Sequence, residues 1–117
     1  MTLTEFLLAR IAEDEAVAHE ATHYNWRVTD DPLGYHVEHD KQEPMGRVVM
    51  RAGSDMGVDG KPDAAHIARH DPARALREAQ AKRRLVGDEW FEDPETMRIL
   101  AEVYSDHPDY RDEWRWP

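Results

Sequence analysis

The chain has 117 residues, enough for one domain spanning 1–117 with a modest core, and carries 25 Asp and Glu against 15 Lys and Arg for a formal net charge of -10. That charge repels nucleic-acid phosphates at long range, making nucleic acid a poor partner, and favours cationic ones. The lack of cysteine excludes disulfides and thiolate metal sites, and no run of about 18 apolar residues is present to span a bilayer, so a soluble protein of a reducing cytoplasm is expected, with no membrane partner.

Thr2 and Glu5 fit a capping box, in which hydroxyl and carboxylate satisfy stranded backbone donors, so a helix is predicted from there to about residue 22. Leu3, Phe6, Leu7, Ile11 and Ala18 fall near one face of it and Glu13, Asp14 and Glu15 lie outside that face. Glu5 and Arg10 interrupt the opening apolar residues, unlike the unbroken core of a signal peptide. Residues 24–52 change character. Trp26 with Val28, Tyr35 with Val37, and Val48 with Val49 and Met50 make β-prone runs separated by Asp-Pro-Leu-Gly and Glu-Pro-Met-Gly turns, predicting two or three short antiparallel strands. Gly53, Gly57 and Gly60 predict a flexible loop over residues 53–61.

Asp63 is expected to cap a short helix over residues 64–70. Asp71-Pro72 then starts another, since a residue before proline avoids the α region while proline suits the first helical position. This helix runs to about residue 86, with Ala75, Leu76, Ala79 and Val86 inward, Lys82, Arg83 and Arg84 near its negative dipole end, and Gly87 as its stop. Asp93-Pro94 repeats the start signal, Met97, Leu100, Ala101 and Tyr104 supply an apolar stripe, and Asp106-His107-Pro108 ends it. The fold class is therefore α+β and predominantly helical: a long N-terminal helix, a small two- or three-stranded antiparallel sheet, then two or three C-terminal helices.

The string His19-Glu20-Ala21-Thr22-His23 is a literal H-E-x-x-H. On a helix, imidazoles at i and i+4 lie within about 40° of each other and can share a zinc, with Glu20 as the catalytic group that polarises the attacking water. A metallopeptidase also needs a third ligand and a substrate cleft, for which a chain this short has little room, so a solvated helix terminus outweighs the zinc reading. His66 and His70 repeat the i, i+4 spacing beside Arg69, Asp71 and Arg74. The favoured reading is a polar junction that sets the angle between two helices. Its rival is a metal or ligand site using His66, Arg69 and His70, with His39, Asp106 or His107 as third ligand.

Residues 55–60 resemble the start of a calcium loop, but Gly57 stands third and His66 twelfth, where carboxylates are required, and calcium is rejected. Lys82, Arg83 and Arg84 suit a helix C-terminus better than a phosphate-binding patch. In the tail, Tyr110, Trp114 and Trp116 either pack onto the domain or anchor a partner.

The run His66-Ile67-Ala68-Arg69-His70-Asp71-Pro72-Ala73-Arg74, the opening Phe6-Leu7-Leu8-Ala9-Arg10 with Asp14-Glu15, the Ala21-Thr22 pair before Trp26, and the closing Asp106-His107-Pro108-Asp109-Tyr110-Arg111 with Glu113-Trp114-Arg115 bracket nearly the whole chain. Together they resemble a family of small actinobacterial and actinophage proteins known only as a domain of unknown function. The resemblance implies occurrence in phage-derived and mobile gene sets, and no activity. Between Thr22 and Trp26 the family's segment is Pro-Gly-Pro-like whereas His23-Tyr24-Asn25 stands here, which sets His23 apart from any family-wide role. The expectation is a noncatalytic interaction or accessory protein without a cofactor, presenting an acidic surface to a protein partner. Carboxylate rows at residues 13–20 and 106–113 could mimic DNA phosphates. The alternatives are a zinc-dependent hydrolase using His19, Glu20 and His23, and a small nucleic-acid-associated protein using Lys82, Arg83 and Arg84.

Overall fold

A computed structural model describes residues 1–21, 24–32, 34–40, 48–52, 60–87 and 93–115. In chain order these form α1 (Leu3–Glu20), β1 (Trp26–Asp31), β2 (Gly34–His39), β3 (Val48–Ala52), α2 (Gly60–Arg69), α3 (Pro72–Gly87), α4 (Pro94–Glu102) and a 3-10 turn at Asp112–Trp114. This is the expected mixed, mostly helical arrangement. The chain divides into two compact units, Met1–Ala16 with Arg77–Pro117, and Val17–Leu76. No helix among the described residues is long and apolar enough to cross a membrane.

In the first unit, Thr2 Oγ1 accepts the Glu5 amide at 3.1 Å, which is the threonine half of the capping box and starts α1. The predicted stripe is the core: Phe6, Leu7 and Ile11 are fully buried against Ala79 and Val86 of α3, Met97 and Ala101 of α4, and Trp114. Burial of each large apolar side chain contributes about 1.5–3 kcal/mol. Phe6 sits at the centre of an aromatic nest, its ring centroid 5.1 Å from that of Trp114, 5.7 Å from His107 and 6.0 Å from Tyr110. The start of α4 follows its sequence signal. Asp93 Oδ1 accepts the Glu95 amide at 3.2 Å, Asp93 Oδ2 accepts the Thr96 hydroxyl at 2.9 Å, and Pro94 opens the helix.

The second unit is a three-stranded antiparallel sheet in the order β1-β2-β3, covered on one face by α2. Asp31 pairs with Gly34 at the end of the β1–β2 ladder, and Gly34 takes φ 125°, a conformation that only glycine adopts without strain. Val28 pairs with Val37 and Val37 with Met50, so strand alternation puts these three on one face. Val37 is fully buried there with Ala64 of α2, flanked by Trp26, Tyr35, Ile67 and Ala68. The other face is polar. Arg27 Nε donates to Glu38 Oε1 at 2.9 Å, and His36 Nε2 lies 3.2 Å from Glu38 Oε2. The Arg27 hydrogen bond holds the Glu38 carboxyl below its ordinary value.

Two boundaries differ from expectation. α1 ends at Glu20, with Ala21 already outside it, and residue 22, to which it was expected to run, lies outside the described residues. α2 starts at Gly60 rather than after an Asp63 cap, so Gly60 and Lys61 belong to a helix and not to the glycine-rich loop. Pro62 has no amide to lose in a first turn, and Asp63 there complements the positive end of the helix dipole. The rest of that predicted loop, residues 53–59, lies outside the described residues, as does the calcium-like string within it.

Candidate functional site

The motif shared by α2 and α3 is organised around the first turn of α3, whose backbone donors can be accounted for one by one. Pro72 has none to satisfy. The Ala73 amide donates to the Tyr24 carbonyl at 2.9 Å, the Arg74 amide to Asp71 Oδ1 at 2.9 Å, and the Ala75 amide to the Asp71 carbonyl at 2.9 Å. The second carboxylate oxygen of Asp71 accepts the Trp26 amide at 3.1 Å, tying β1 to the helix start. Arg74 Nη1 reaches back to the Arg69 carbonyl at 3.4 Å. Asp71 is thus an N-cap and a tertiary fastener at once.

His66 in the last turn of α2 and His70 just past its end are both exposed, and their ring centroids are 4.5 Å apart with a 40° tilt. His70 Nδ1 lies 2.8 Å from the His66 carbonyl oxygen. A carbonyl only accepts, so Nδ1 carries the proton and Nε2 keeps its lone pair in the neutral ring. Among the described residues no group of three or more His, Asp or Glu side chains could hold a metal ion. His39 is buried in β2, and His107 is engaged in the other unit.

His19 sits in the last turn of α1, its ring 6.3 Å from that of Tyr24, and Glu20 is the final helical residue. His23 lies outside the described residues. Trp116 likewise lies outside them. Trp114 is 6 % exposed and packs in the core of the first unit, with Tyr110 partly buried against it.

Sequence reasoning missed a polar cluster in the first unit. Arg10, on the buried side of α1 and only 8 % exposed, sets its Nη1 against Nε2 of the His107 ring, whose Nδ1 accepts the Asp109 amide at 3.0 Å, and donates from Nη2 to Glu13 at 2.9 Å. One helical turn on, Asp14 accepts the Tyr104 hydroxyl at 2.6 Å, and Lys82 Nζ donates to the same phenol oxygen at 3.2 Å. Burial first, and the Asp14 bond second, push the Tyr104 phenol well above its ordinary value, so it acts as a neutral donor and not as a base. The only sequence signal was Arg10 within an otherwise apolar stripe. Lys82 is therefore drawn to Tyr104, and Arg83 pairs with Glu15 at 2.9 Å, while Arg83, Arg84, Gln80 and Gly87 line an open groove at the end of α3.

The outer face of α4 has a different composition. Ile99 and Val103 are 53 % and 62 % exposed, although Met97 and Ala101 of the same helix are buried. Val103 keeps helical backbone angles, and rotation by about 100° per residue places Glu95, Ile99, Glu102 and Val103 within about 100° of arc. Asp106 is exposed in the turn that follows. Among the described residues no ion pair engages Glu95, Glu102 or Asp106.

No curated protein and no solved structure matches the chain. A protein-family model described as a family of unknown function, DUF6221, matches residues 1–116, and by that match over nearly its whole length the chain belongs to this family.

Proposed function

We propose that this protein is a noncatalytic binding module that presents an acidic face to a cationic protein partner, the kind of accessory role implied by the resemblance to actinophage and mobile-element proteins. The observation that carries the reading is the outer face of α4, where Ile99 and Val103 stand exposed among the carboxylates of Glu95, Glu102 and Asp106. A basic amphipathic helix complements such a face. Its apolar side covers the two aliphatic side chains, worth about 1.5–3 kcal/mol each on full burial, and its lysines meet the flanking carboxylates, which act more on association rate and register than on affinity. The net charge of -10 steers cationic partners toward the molecule and is screened by salt.

The test uses a labelled lysine- and leucine-rich amphipathic helical peptide as probe, followed by fluorescence anisotropy. Saturable binding is expected, weakened about tenfold by Ile99→Ser with Val103→Ser, and by Glu95→Gln with Glu102→Gln and Asp106→Asn. Neutralising three exposed carboxylates elsewhere, Glu20→Gln with Asp30→Asn and Asp63→Asn, leaves it unchanged. Equal weakening by both sets of neutralisations would mean unspecific charge attraction, and the α4 reading would then be abandoned.

A further inference from the structure

We propose that His66 and His70 form a two-imidazole site for a divalent transition-metal ion of zinc type at the exposed C-terminal end of α2, independently of any partner on α4. Four residues of helix bring the two rings to nearly the same angular position, and the structure sets them 4.5 Å apart, tilted by 40°. Two nitrogens bound to one zinc at about 2.1 Å in tetrahedral geometry stand about 3.4 Å apart, a separation that edges of rings at this spacing and tilt reach by small side-chain rotations.

The tautomer is already the one a metal requires. Ligating histidines typically donate their second ring N–H to a carbonyl or carboxylate, which orients the ring and raises the basicity of the ligating nitrogen. The His70 Nδ1 bond of 2.8 Å to the His66 carbonyl supplies that support and turns the Nε2 lone pair over to the ion. The site lies at the C-terminal end of α2, where the helix dipole favours a cation. Arg69 and Arg74 are the opposing charges in the motif, and Arg74 is directed at the Arg69 carbonyl. With two protein ligands, water fills the remaining positions, so the ion is exchangeable and open to a further ligand.

The experiment titrates zinc chloride into the tag-free full chain by isothermal calorimetry, with amide chemical shifts recorded in parallel. One ion per chain is expected, with shifts centred on residues 63–71. His66→Ala is the decisive variant, because the His70 bond runs to the backbone of residue 66 and survives it, so the helix end stays fastened. It should weaken zinc binding at least about tenfold with unchanged circular dichroism. His70→Ala should do the same, and His66→Ala with His70→Ala should abolish the shifts. Absence of binding at about 1 mM zinc, or binding of equal strength in His66→Ala, overturns the proposal.

Discussion

Removing the Asp71 carboxylate tests how the second unit is held together. The side chain makes two separate bonds, to the Arg74 amide at 2.9 Å and to the Trp26 amide at 3.1 Å. Losing an N-cap costs about 1 kcal/mol, within about 0.5–2. A hydrogen bond from a partly buried amide to a carboxylate contributes about 1.5–3 kcal/mol. Asp71→Ala should therefore destabilise the protein by about 2–4 kcal/mol, and Asp71→Ser, which can still cap but cannot reach both amides, should recover about 1 kcal/mol of that. Asp71→Asn presents one acceptor and one donor to two N–H groups and should fall between them. Urea unfolding followed at 222 nm gives the free energies, and amide exchange distinguishes the bonds: Ser restores protection at Arg74 but not at Trp26. A loss below about 0.5 kcal/mol in Asp71→Ala, or full recovery in Asp71→Ser, would refute the double role.

Phe6→Ala should cost about 3–5 kcal/mol by thermal or urea unfolding, since it empties the centre of the aromatic nest, whereas Phe6→Leu should cost about 1–2. Tyr104→Phe removes the bonds to Asp14 and Lys82 and should cost about 1–2 kcal/mol at neutral pH. Because the folded state raises the Tyr104 phenol above its ordinary value of 10.0, its contribution is complete below that pH and is lost as alkali ionises the unfolded chain first. Wild type should therefore lose more stability than Tyr104→Phe between neutral pH and pH 11 or so. Glu38 has the opposite sign. Its lowered value stabilises the fold above the ordinary 4.5 and the contribution fades as acid protonates the carboxylate, so Glu38→Gln should flatten the acid side of the stability profile.

The elements were legible wherever a local pattern carried them. The Thr2 cap, the Asp71-Pro72 and Asp93-Pro94 starts, the stripe of Phe6, Leu7 and Ile11, and the Gly34 turn all act over three or four residues, and each appears where the sequence places it. The boundary at Gly60 was not legible, because a proline that usually marks a helix start is tolerated within the first turn of this one.

The sequence by itself determined the acidic charge, the α+β class, the order of helices and strands and the i, i+4 placement of His66 and His70, since these depend on composition and on short-range backbone geometry. Only tertiary structure decided that Arg10 is buried beside His107, that Asp71 reaches the Trp26 amide 45 residues away, and that α4 leaves Ile99 and Val103 exposed. Which side chains are desolvated, and by which neighbours, depends on contacts between distant segments of chain, and no local spacing encodes them.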